Sequence, residues 1–217
     1  MLGEIAVVTA GILIAFALEA WWDNRATAER EQIHLRALAS DFQQNTAVLR
    51  ALVENEESIM SSSQELLKVA RRSQHSSTES IAALMSQVFN SARYDPVMGA
   101  YEALVNSGGL MLIRDEPLRA SLAEFAAQVS GQYAESWSNE HYFAFAREFG
   151  GRVVLDVLDT QPGSDRDRMY AEMLRNPRFQ EHLAMRYISE RDMAGKYREL
   201  LREAESVLAQ LHEQIRN

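Results

Sequence analysis

The chain has 217 residues, with 22 Lys and Arg against 31 Asp and Glu, a formal net charge of −9 and no cysteine. That balance argues against a nucleic-acid partner, since phosphate recognition needs a concentrated basic face. The missing thiols exclude disulfides, thiolate metal sites, cysteine nucleophiles and lipidation of a cysteine. Only four prolines and ten glycines interrupt the sequence, so long helices are expected and the fold class is all-α.

The first element is IAVVTAGILIAFALEAWW, Ile5 to Trp22, uncharged as far as Leu18 and interrupted only by Glu19. As a helix this run extends about 27 Å, close to the ~30 Å of a hydrocarbon core. Trp21 and Trp22 stand at one end, where aromatic rings anchor at headgroup level, and Arg25 follows them. Ala15-Phe16-Ala17 has the form of a signal-peptidase site, but no Lys or Arg precedes the run, so the basic n-region of a cleaved signal is missing. The expectation is a retained transmembrane anchor over residues 1–25, contacting the bilayer through 5–22. Gly11 and Ala15, small residues four apart, are candidates for close packing against another membrane helix. Arg25, Arg30 and Arg36 follow the run and none precedes it, which on charge alone favours a cytoplasmic C-terminal part.

No Gly or Pro occurs between Gly11 and Pro96, so the anchor helix is expected to continue directly into a helical bundle domain over 26–217, built of four to five helices. A seven-residue pattern runs through Leu35, Leu38, Phe42, Asn45, Leu49, Leu52, Glu56, Ile59, Ser63, Leu66 and Ala70. Its polar members Asn45, Glu56 and Ser63 weaken it as a free coiled coil and favour a bundle helix. The polar stretch Ser73–Thr78 predicts a loop with Ser/Thr capping of a helix over Ser80–Ala92. Asp95-Pro96 predicts the next start, Ser107-Gly108-Gly109 the stop, and Asp115-Glu116-Pro117 a further start with acids at the positive end of the dipole. Leu118, Leu122, Phe125, Val129 and Tyr133 should face inward from that helix.

A dense aromatic group follows, and four of its rings, Tyr133, Trp137, Tyr142 and Phe145, are candidates for a ligand pocket, against the commoner reading that such rings fill a bundle core. Arg152–Leu158 is β-branched but has no strand to pair with, so it is expected to be helical. In the last helix Tyr197, Leu201, Ala204, Leu208, Leu211 and Ile215 alternate steps of four and three and predict a second seam.

Three stretches resemble an uncharacterised bacterial family of single-span membrane proteins, a domain of unknown function. They are Gly3-Glu4 with GILIAFALEAWWDNR (11–25), Leu35-x-x-Leu38-x-x-Asp41, and YEALVNSGGLMLIRDEPLRASL (101–122). The resemblance implies an N-terminal anchor in a bacterial inner membrane and a helical extramembrane domain, with no known activity or catalytic residues. Relatives carry a basic segment before the Gly-Glu pair, which implies a periplasmic domain, opposite to the reading from the arginines alone.

The chemistry-bearing residues do not converge in sequence. Glu31-x-x-His34 has the spacing used by di-iron bundles, but no second such pair exists. No phosphate loop, nucleophile elbow or zinc-protease helix is present. Neither a catalytic residue, nor a metal ligand, nor a cofactor is assigned. The expected function is a membrane-anchored helical interaction, scaffold or accessory-subunit protein without catalytic activity, with a protein partner or a second copy of itself. The alternative is a ligand-binding, sensor-like domain acting through a partner subunit.

Overall fold

The computed structural model describes the backbone of residues 2–72, 76–130, 137–157 and 163–216, and the side chains of 11–71, 76–130, 140–155 and 165–216. Every regular element among them is helical. In chain order these are α1 (Leu2–Arg72), α2 (Thr78–Val88), α3 (Gly99–Asn106), a 3₁₀ turn (Gly109–Leu112), α4 (Glu116–Ser130), α5 (Trp137–Phe145), a π turn (Ala146–Gly150), α6 (Gly151–Val157), α7 (Gly163–Arg175) and α8 (Pro177–Arg216). The all-α expectation is met. The chain divides into two compact units. The first comprises residues up to Gln44, Val97–Ala126 and Ala204–Asn217; the second comprises Asn45–Pro96 and Ala127–Glu203.

The membrane-spanning expectation is not supported by the described helices. Among the described residues no helix is long and apolar enough to cross a membrane. The side chains of 5–10 lie outside those residues. What remains of the run, Gly11–Trp22, rises only about 18 Å at 1.5 Å per residue, short of a ~30 Å core.

In the first unit, Leu35, Leu38 and Phe42 of α1 are buried, as are Leu104, Ile113, Leu118, Leu122, Phe125 and Leu211. The Phe42 and Phe125 rings lie 4.9 Å apart. Full burial of each such side chain is worth roughly 1.5–3 kcal/mol. Helix starts in this unit are held by one distant and one local side chain. Asp41 Oδ2 accepts from Ala100 N–H at 2.7 Å, and so supplies the cap that Met98 cannot give to α3. Asp115 Oδ1 accepts from Leu118 N–H at 2.7 Å, as the acidic helix start predicted. Helix α3 begins at Gly99 and not at Pro96 as the Asp95-Pro96 pair suggested, because that distant carboxylate, and not Asp95, caps it.

In the second unit, Leu66, Met85, Val88, Phe145, Phe149, Tyr170, Met173, Phe179 and Leu183 form one core. Ser77 caps α2, its Oγ accepting from Ser80 N–H at 3.2 Å, in keeping with the predicted Ser/Thr cap. The helix runs Thr78–Val88, four residues short of the expected Ala92. Gly150-Gly151 does not break the chain; a π turn carries α5 directly into α6, so 152–157 is helical as expected.

The α1 seam is buried at Leu35, Leu38, Phe42, Asn45, Leu49, Leu52, Glu56, Ile59, Ser63 and Leu66, polar positions included. The α8 seam is buried as expected at Tyr197, Ala204 and Leu211, while its alternate positions are shifted by one residue. Leu201 and Leu208 are half-buried, and one line of buried positions runs through Phe179, Leu183, Arg186, Glu190, Met193, Tyr197, Leu200, Ala204, Val207 and Leu211. These also step by four and three without interruption.

Candidate functional site

The buried seam positions of the second unit that carry charge meet one another. Arg186, Glu190 and Glu56 are 5%, 3% and 3% exposed. Arg186 Nη1 donates to Glu190 Oε1 at 2.5 Å, one turn along α8. Its Nη2 donates to the Asn90 carbonyl at 2.6 Å, just past the end of α2. Helix α2 has no basic residue in its own last turn. Arg186 therefore supplies from α8 the cation that a helix C-terminus favours.

The Tyr142 ring covers the guanidinium with its centroid 4.7 Å from Cζ, and the Tyr142 hydroxyl donates to the Phe89 carbonyl at 3.1 Å. Beside it, Asn90 Nδ2 donates to Asn55 Oδ1 at 2.8 Å. A cation taken out of water in this way keeps partners on both sides, a carboxylate and a carbonyl, with an aromatic face above.

Glu56 hydrogen-bonds to Glu190, and its pKa is raised to about 9. Burial is the main cause; the hydrogen bond and the negative charge of Glu190 add to it, while Arg186 and Asn55 oppose it. Two carboxyl groups facing one guanidinium thus hold one extra proton at neutral pH. The buried hydroxyls of Ser63 and Ser189 have no hydrogen-bond partner among the described residues.

Of the four rings expected to form a pocket, Tyr142 and Phe145 border one small cavity together with His182 and Arg186. Tyr133 and the side chain of Trp137 lie outside the described residues. Phe145 is buried in the core, stacked on Phe89 at 4.3 Å and against Phe179 at 5.6 Å. Tyr142 is half-buried over Arg186, and Phe143 points to solvent. An open groove lies elsewhere on this unit. It holds about 510 Å³ between the last turns of α1 and the early turns of α8, bordered by Gln64, Leu67, Lys68, Arg71, Ala184, Tyr187 and Ile188.

In the first unit the Ser107-Gly108-Gly109 stretch is a turn between helices. Gly108 takes φ +70°, the left-handed region, and Ser107 Oγ donates to the Leu104 carbonyl at 3.2 Å. A Cβ on Gly109 would lie 3.2 Å from the Leu104 side chain. Glu31 does not turn toward a metal with His34; its carboxylate accepts from Arg114 N–H at 2.7 Å. Among the described residues no group of acids and histidines could hold a metal ion. Gly11 and Ala15 are exposed on α1, and no atom lies within 4 Å of a Cβ built on Gly11. Trp21, Trp22 and Arg25 stand together on the same helix, with Arg25 Cζ 5.9 Å from the Trp21 ring centroid.

Arg186 and Glu190 were not singled out from sequence, because an i,i+4 Arg–Glu pair reads as a solvated helix face. Their phase with Phe179, Leu183, Met193 and Tyr197 was the available signal.

Compared with known proteins, residues 4–135 match the model of a family described as a family of unknown function (DUF6090). No curated protein and no solved structure matches the chain.

Proposed function

The chain belongs to that family of unknown function, and from its own residues we propose that it is a single-pass, membrane-anchored helical interaction protein that works by binding and not by catalysis. One observation carries the reading. Over Gly11–Trp22, Ile12, Leu13, Ile14, Phe16, Leu18, Trp21 and Trp22 are all more than half exposed. Successive residues of a helix are turned by about 100°, so these side chains cover every side of α1 and no single face. Further along the same helix the apolar residues collapse to one buried stripe. A helix apolar all round needs an apolar surrounding, and continuing it back to Ile5 reaches nearly the thickness of a bilayer. Trp21, Trp22 and Arg25 then mark the headgroup level.

Sodium carbonate extraction of bacterial membranes carrying the full-length chain tests the anchor. The chain should stay in the membrane pellet, and Leu13→Lys with Phe16→Lys should release it. Full release of the unaltered chain would sink the reading. Fusions of alkaline phosphatase and of a fluorescent protein to the C-terminus test the periplasmic placement in the inner membrane that the family resemblance implies. Copurification from mild detergent, with mass spectrometry, tests for a protein partner or a second copy.

A second reading, a ligand-binding domain acting through a partner subunit, is favoured by the open groove of about 510 Å³.

A further inference from the structure

We propose that the groove between α1 and α8 in the second unit binds a small amphipathic anion, an apolar body bearing a carboxylate or phosphate head. The proposal names the ligand class for the second reading above and rests on no part of the anchor reading.

The volume, about 510 Å³, lies within the roughly 300–1,000 Å³ typical of small-molecule sites. A partner helix, about 10 Å across, would fill such a volume in roughly one turn, so a compact ligand fits better than a docked segment. The walls are predominantly apolar. Leu67, Ala184, Tyr187 and Ile188 line them, and Ile188 is 37% exposed, an aliphatic surface that gains from being covered.

The charges have one sign. Lys68 and Arg71 border the groove one turn apart on α1, and no acidic side chain borders it among the described residues. On a chain of net charge −9 this is a local reversal of field, and it selects an anion. Lys68 pairs with Glu65 at 3.2 Å, but both side chains are nearly half exposed, and such pairs contribute little. The ammonium is therefore free to exchange partners. Arg71 makes no ion pair among the described residues, and its planar fork suits a carboxylate or phosphate.

The test uses the full-length chain in nanodiscs of zwitterionic lipid, or in buffer if it fractionates as a soluble protein. The probe is a diazirine-bearing long-chain fatty acid, with crosslinks mapped by mass spectrometry. Crosslinks should fall on peptides containing 64–71 and 184–188. Lys68→Glu with Arg71→Glu, both surface changes, should lower labelling about tenfold or more with unaltered circular dichroism. Ile188→Trp, which fills the groove, should lower it without changing charge.

Competition by unlabelled palmitate or by a monoacyl glycerol phosphate supports the proposal, and the stronger competitor identifies the head group. Equal labelling in the charge-reversed variant, equal labelling by the matching fatty alcohol, crosslinks confined to other peptides, or no competition by either anion would each overturn it.

Discussion

Glu56 of α1 is hydrogen-bonded to Glu190 of α8, and two carboxyl groups can make that bond only when a proton lies between them. Burial keeps it there, since ionising both acids away from water would set like charges side by side with a single guanidinium to answer them.

Stability should consequently fall on the alkaline side. The unfolded chain releases this proton near pH 4.5, the folded protein near about 9. Between those limits the native state binds more protons than the unfolded state. The contribution of Glu56 is thus fully present below 4.5 and is lost as pH rises through about 9. Glu56→Gln keeps the shape of the neutral acid without its titration. Thermal melts across this range should show the variant gaining on the parent as pH rises. Parallel curves would refute a proton held between the two acids.

Removing the cation alone should be severe. Arg186→Met leaves Glu190 buried without its counter-charge and strips the donor from the Asn90 carbonyl, at a cost of about 3–5 kcal/mol. Replacing all three groups together, as in Glu56→Leu with Arg186→Met and Glu190→Leu, should recover most of that loss, because no charge is then left buried. Urea unfolding of the two variants gives the comparison. Parent-like stability in Arg186→Met would show that the ion pair is not needed.

The two adjacent leucines of α8 should respond unequally. Leu200 is buried and Leu201 half-buried. Leu200→Ala should cost about 2–5 kcal/mol and Leu201→Ala clearly less. Equal losses in denaturant titrations would put the seam back in the phase suggested by sequence.

Gly108 is the one described glycine with positive φ, at +70°. Gly108→Ala should cost about 1–2 kcal/mol from the left-handed backbone alone, since no atom crowds a Cβ there. Gly108→Asn should cost less, because Asn tolerates that region. A difference in melting temperature between the two substitutions checks the backbone origin of the effect.

Much of this fold was legible in sequence, and the failures share a cause. The α1 seam read correctly down to its polar members, because apolar residues flank each of them at the right spacing. In α8, Leu200-Leu201 and Val207-Leu208 are apolar pairs, so the four–three alternation fits either of two phases. The deciding residues, Arg186 and Glu190, look like a surface pair until their partners on α1 and past α2 are known. The start of α3 was misread for the same reason, since its cap is Asp41, far away in the chain. The Ser77 and Asp115 caps are local and were read correctly. Tertiary partners, and not helix propensity, account for what sequence did not disclose.

The shared proton also alters the accounting of charge. The formal value of −9 counts Glu56 as ionised, whereas the native protein at neutral pH carries one negative charge fewer. Each molecule that unfolds therefore gives up a hydrogen ion to its surroundings. The heat of denaturation read in a calorimeter should then vary with the protonation enthalpy of the buffer, and a weakly buffered solution should acidify as the chain opens.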